Sequence, residues 1–225
     1  AGDHPYRDFF EWGVPLQATL SYAGQVLTGH RLLGEFLGQW ALILTGMVVS
    51  THLAFRLSGS LAATAAAMLV AVVNLGVTPT VHGSKIFIYP CAILLMWRYL
   101  ERPSAGRSAA LGAFAAIAFL LRHDHGVYVG AGILLTLATA PLAAPDARKL
   151  SSLLRDLAAC AVASAVLLAP WAILVQRSEG LVNYVIARAY INSKWAVGSS
   201  PFTTILSLNP LAAFTPDPSG DLGTW

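Results

Sequence analysis

Charge is what this chain has least of. Only 11% of its 225 residues are Asp, Glu, Lys or Arg, against 56% that are hydrophobic, and its mean hydropathy is +0.63. A soluble domain carries roughly 25% charged residues, so the polar coat is less than half the usual one. This excludes an ordinary soluble globule and predicts a polytopic membrane protein. Cysteine is also scarce. Cys91 and Cys160 both fall inside apolar runs, where they read as small buried residues rather than as a disulfide. There is no low-complexity tract or internal repeat. The chain also lacks a Walker-type phosphate loop, a Gly-x-Ser-x-Gly elbow and a zinc-protease motif.

The 14 Lys and Arg outnumber 11 Asp and Glu, but no basic stripe with interleaved aromatics suits nucleic acid. The basic residues instead sit in joints between apolar runs, where topology determinants and lipid contacts belong. The chain opens on Ala1 and a polar stretch, and closes on Gly223-Thr224-Trp225; it reads as a fragment of a longer membrane protein.

The sequence predicts an all-α bundle in a single transmembrane domain. Residues 1–31 form an outer loop and an interfacial helix, 32–175 form about six spans, and 176–225 form an outer interfacial helix and loop. Pro15 suits the first turn of the interfacial helix, which runs from Val14 to Gly29. The spans are Leu32 to Phe55, Leu61 to Val77, Ile86 to Leu100, Ser108 to Leu121, Gly126 to Pro145 and Leu157 to Val175. The third contains Pro90, tolerated where neighbours satisfy the freed backbone. The fourth, at 14 residues, reaches only about 21 Å against a hydrocarbon core of roughly 30 Å. Between the fourth and fifth lies a polar joint, Arg122-His123-Asp124-His125.

Six spans alternate the joints between two sides. Arg56, then Arg98, Arg102 and Arg107, then Arg148, Lys149 and Arg155 fall on one side; the other has Lys85 and Arg122 in its inter-helix joints. That asymmetry makes the first side cytoplasmic. The opening residues, Lys85, the Arg122 joint and the tail after Tyr184 then share the non-cytoplasmic face.

Three groups there are candidates for chemistry. Asp3, Asp8 and Glu11 offer carboxylates for a general base or for a divalent metal of undetermined identity; the plainer alternative is solvated loop acids, one of them paired with Arg7. Lys85 and Arg122 are placed to hold a lipid phosphate, or simply to anchor helix ends at the interface. The Arg122-to-His125 cluster positions a donor phosphate, binds metal, or is ordinary loop polarity; a His-x-His pair alone is weak evidence for metal. Glu35 and His52 lie near span ends, which argues against a proton-relay transporter.

Pro5-Tyr6-Arg7-Asp8-Phe9-Phe10, then Gly13-x-Pro15-Leu16 and a surface helix ending at Gly29, resembles the first outer loop of the protein-mannosyltransferase-like superfamily. These are polytopic glycosyltransferases of the C-type fold, among them bacterial lipid A aminoarabinose transferases. The Gly112-to-Leu121 run ending in Arg122-His123-Asp124 resembles the short helix pair and polar outer joint of such proteins. The resemblance implies transfer of a sugar from a polyprenyl-phosphate donor to a lipid, glycan or protein acceptor. The reaction would occur at the non-cytoplasmic face of a bacterial inner membrane and is often metal-assisted. It makes Asp8 the matching acid, with Glu11 second, and gives Arg7, Lys85, Arg122, His123 and Asp124 to substrate or phosphate. The family's acidic pair would fall before Ala1. A transporter or lipid flippase, and a non-catalytic subunit of the same fold, are the alternatives.

Overall fold

A computed structural model describes residues 15–77, 83–143 and 150–186. These residues are helical, with no strand among them. Helix α1 (Pro15–Leu27) is followed by α2 (Leu33–Ser58), α3 (Leu61–Val77), α4 (Gly83–Glu101), α5 (Ala105–Leu121), α6 (His123–Ala143) and α7 (Leu150–Ser178). A further helical segment covers 181–186.

Local chemistry explains the joints. Gly59, at φ 62°, closes α2 in the left-handed conformation that glycine adopts without penalty. Ser104 caps α5, its side chain accepting the Arg107 N–H at 3.3 Å. That cap starts α5 at Ala105, three residues before the predicted span. Its 17 residues give about 25 Å of helix, still short of the hydrocarbon core. Pro90, Pro141 and Pro170 lie inside α4, α6 and α7 without ending them.

The core lies where α4, α5, α6 and α7 meet. Ile88, Tyr99, Leu111, Leu121, Ile133 and Leu137 are fully or almost fully buried there. The most extensive packing is α5 on α7, made possible by Gly112, where a Cβ would collide with the Cys160 carbonyl. Ser164 Oγ donates to the Gly112 carbonyl at 2.8 Å across the same contact. Small residues that admit this backbone approach are how helices associate where the surroundings are as apolar as their own side chains. Cys160 is buried and Cys91 half-buried, and both are free thiols.

Outside the core, the surface is apolar. Leu44, Val48, Leu69, Val70, Leu135, Val162 and Val166 are all more than half exposed. Two helical stretches, Leu33–Ser58 and Ser151–Ser178, are long and apolar enough to cross a membrane; only 17% and 11% of their most apolar windows are buried inside the protein. The core helix of a soluble protein would be mostly covered, so these faces suit a hydrocarbon surrounding. Leu61–Val73 and Ala105–Leu121 are shorter apolar helices. Among the described residues the chain is therefore all-helical with the surface of a membrane-associated protein, and two of the described helices meet the length and composition of a crossing.

Candidate functional site

Helices α4 and α6 begin, and α5 ends, at one end of the bundle, which gathers polar groups from all three. On α4, Lys85 lies in the first turn and Tyr89 one turn later, on the same helix face. The Tyr89 hydroxyl lies 2.6 Å from His125 Nδ1 on α6. The two rings meet edge to face at 5.3 Å. This contact joins the start of α4 to the Arg122-to-His125 segment. Among the described residues no carboxylate pairs with Lys85.

The polar joint is shorter than expected. Only Arg122 is extended, with φ −166° and ψ 117°; the helix resumes at His123. Asp124 accounts for the restart. Its Oδ1 accepts from Arg122 Nε at 3.0 Å and from the His125 backbone N–H at 2.9 Å, as an acid in the first turn of a helix should. Burial pulls the Asp124 carboxyl upward. The Arg122 and His125 charges, with the two hydrogen bonds, outweigh that and hold it below the usual carboxylate value. Asp124 is thus an ionised partner of Arg122 at neutral pH.

His123 faces a different neighbourhood. Its ring stacks on Phe119 at 4.1 Å with 9° between planes, and Nδ1 lies 2.7 Å from the Phe119 carbonyl. A carbonyl only accepts, so Nδ1 carries a proton and donates to it, while Nε2 lies 2.5 Å from the Tyr184 hydroxyl. Trp171 meets Phe119, His123 and Tyr184 edge to face at 5.2–5.6 Å. Tyr184 is buried against Val175, Trp171 and Leu181. The segment after α7 is thereby folded back onto it.

The structure therefore brings Lys85, Arg122, His123 and Asp124 to one end of the bundle. It ties Arg122 to Asp124 and gives His123 to an aromatic cage. Arg7, Asp8 and Glu11 lie outside the described residues, as does Asp3. Tyr89, Trp171 and Tyr184 were not singled out from sequence. Tyr89 alone carried a usable signal, one helical turn from Lys85; the other two are placed by contacts far apart in the chain. Among the described residues no three His, Cys, Asp or Glu side chains converge as metal ligands. Asp124 Oδ1 serves Arg122, and His125 Nδ1 meets Tyr89.

A second polar group lies at the opposite end. Asp156, on the second turn of α7, is fully buried and accepts from the Tyr99 hydroxyl of α4 at 2.9 Å. Ser108 of α5 donates to the Asp156 backbone carbonyl. Arg56, Arg98, Arg102 and Arg107 gather at this end with Glu101. Of the cations expected to share one side, these four line one cavity; Arg148 and Lys149 lie outside the described residues.

No family model, no curated protein and no solved structure matches this chain.

Proposed function

We propose that this chain is a multi-pass membrane glycosyltransferase, with α2–α7 as its roughly six spans in a bacterial inner membrane. Its donor is a polyprenyl-phosphate sugar used at the non-cytoplasmic face. One observation carries the reading: Lys85 and the Arg122 segment stand at the same end of the bundle, linked through the Tyr89–His125 contact. Two cations at the end of an apolar bundle suit a phosphate whose lipid tail lies along the helices. The Tyr89 ring, 36% exposed, supplies a face of the kind that packs against sugar.

In the proposed reaction an acceptor hydroxyl attacks the anomeric carbon of the donor. The bond from that carbon to the phosphate oxygen breaks, and polyprenyl phosphate departs with the electron pair. Lys85 and Arg122 stabilise the charge on the leaving phosphate. Asp124 keeps Arg122 oriented, and Tyr184 fixes the ring of His123. The acceptor proton passes to a carboxylate, for which Asp8 and then Glu11 are the candidates. The likeness of the Tyr6-Arg7-Asp8 stretch to the C-type glycosyltransferases supports the same assignment.

The test is sugar transfer from a radiolabelled polyprenyl-phosphate sugar by the full-length protein in membranes. Lys85→Gln and Arg122→Gln are each expected to lower kcat/KM by about 10–100-fold, the loss of one phosphate contact in a low-dielectric site. Unaltered transfer in both variants would remove this end of the bundle from the mechanism. Movement of the donor across the bilayer without release of polyprenyl phosphate would replace the enzyme with a flippase.

A further inference from the structure

We propose that the opposite end of the bundle binds an anionic phospholipid, its phosphate among the arginines of the α2, α4 and α5 ends and one acyl chain along α4. The site has two adjoining parts. A cavity of about 580 Å³ is lined by Arg56, Arg98, Glu101, Arg102 and Arg107. A groove of about 480 Å³ is lined by Ile93, Met96, Trp97, Leu100 and Thr136, and shares Glu101 with the cavity.

The arginines do not all have the same task. Arg107 donates through Nη1 to the Arg98 and Arg102 carbonyls, answering the negative end of α4. Arg56 pairs with Glu101 and lies over the Trp97 ring at 4.9 Å, while Trp97 Nε1 donates to Glu101 at 3.0 Å. Arg98 and Arg102 have no carboxylate partner among the described residues. They are four positions apart at the end of α4, so one anion can meet both guanidinium groups. Four arginines facing a single glutamate leave the cavity strongly positive, and guanidinium is the side chain best shaped for phosphate.

The groove determines which anion fits. Free phosphate would use the arginines and leave the groove exposed. Ile93 and Leu100, 48% and 44% exposed, mark an apolar path of about 10 Å along α4, the length of the first eight or so methylenes of an acyl chain. A phosphate at the polar end of such a path is the layout of a phospholipid. Trp97 stands at the junction, where an interfacial aromatic belongs.

The inference rests on the membrane placement proposed above and is independent of glycosyl transfer. The test is native mass spectrometry of the full-length protein in detergent. It is mixed with phosphatidylglycerol or phosphatidylcholine of identical acyl chains. Wild type should retain phosphatidylglycerol preferentially. Each cation near an anionic headgroup contributes about fivefold, so Arg98→Gln/Arg102→Gln should weaken that retention by about 25-fold. Arg98→Lys/Arg102→Lys should restore most of it, which a merely misfolded double variant would not allow. Ile93→Trp, filling the groove, should reduce retention with every arginine in place. Equal retention of the two lipids, or full retention by Arg98→Gln/Arg102→Gln, would overturn the site. Displacement of the lipid by millimolar inorganic phosphate would make it a free-phosphate site instead. A chain that stays soluble without detergent would sink the membrane placement itself, a failure visible before any lipid is added.

Discussion

The Tyr99–Asp156 contact is the most sharply testable feature of the bundle. Both side chains are fully buried, and the phenol donates to Asp156 Oδ2 at 2.9 Å, joining α4 to α7 across 57 residues of chain. Tyr99→Phe removes one oxygen atom and changes no packing volume of consequence. It takes from the buried carboxyl a donor that water cannot replace, a loss of about 1–3 kcal/mol. For a chain of this size, each kcal/mol is about 2–4 °C in Tm, so a mid-range loss of about 2 kcal/mol lowers Tm by about 4–8 °C. The free thiols provide the assay. Cys160 is buried and Cys91 half-buried, so a thiol-reactive fluorescent maleimide reports the opening of the helices on heating. Asp156→Ala, and the double variant Tyr99→Phe/Asp156→Ala, complete a cycle whose coupling energy should fall between about 1 and 3 kcal/mol. A Tm for Tyr99→Phe within 1 °C of wild type, or a coupling energy of about zero, would refute the view that this bond holds α4 to α7.

Two further outcomes follow from the geometry. Gly112→Leu should separate α5 from α7, because any Cβ there meets the Cys160 backbone rather than a movable side chain; a loss of about 3 kcal/mol or more is expected, read as early thiol labelling of Cys160. Asp124, whose carboxyl is held below the usual value by Arg122 and His125 against the upward pull of burial, stabilises the fold at pH values above the ordinary carboxylate range near 4. That contribution should be lost as pH falls through its folded value. Its side chain is 41% exposed, so solvent screening keeps the effect under about 1 kcal/mol. Asp124→Asn should flatten that part of the Tm–pH curve, measured by tryptophan fluorescence.

Hydropathy alone made much of the helix order legible. Leu61 to Val77 was read with the bounds it has, and α2 and α4 differ from expectation by a few residues. The errors share a cause, which is that polarity was taken for a break in the chain. Arg122-to-His125 was expected as a loop. Yet Asp124 satisfies the His125 N–H and His123 stacks on the preceding turn, so a single extended residue suffices. The sixth span was expected to begin after Arg155, whereas α7 starts at Leu150 and carries Arg155 and Asp156 within it. Asp156 is tolerated there because two groups donate to it, the adjacent Arg155 at 3.4 Å and Tyr99, far away in sequence, at 2.9 Å, and no local pattern announces the second. The candidate site was legible in the same measure. The shared end of Lys85 and the Arg122 segment followed from counting spans; the aromatic cage around His123 depends on Tyr184 folding back onto α7, which periodicity does not encode.

The two ends of the bundle solve different electrostatic problems with the same residue types. At the Arg122 end two cations are differently engaged: Arg122 is fixed by Asp124, and Lys85 has no carboxylate partner among the described residues. One charge held in place beside one on a flexible stem suits a phosphate that must enter, react and leave, since binding that is too strong in the ground state would slow release. At the opposite end four arginines are packed around one glutamate, and two of them are occupied in closing α4 and bracing Trp97. A crowd of like charges is costly unless an anion sits among it, and the aligned carbonyls of α4 offset only part of that cost. A resident phospholipid supplies the missing negative charge and covers the apolar groove in one step. The proposed turnover chemistry then belongs to the Lys85 and Arg122 end, and the proposed standing ligand to the Arg98 and Arg102 end. Exchanging the two behaviours would require moving guanidinium groups from the α4–α5 joint to the α5–α6 joint.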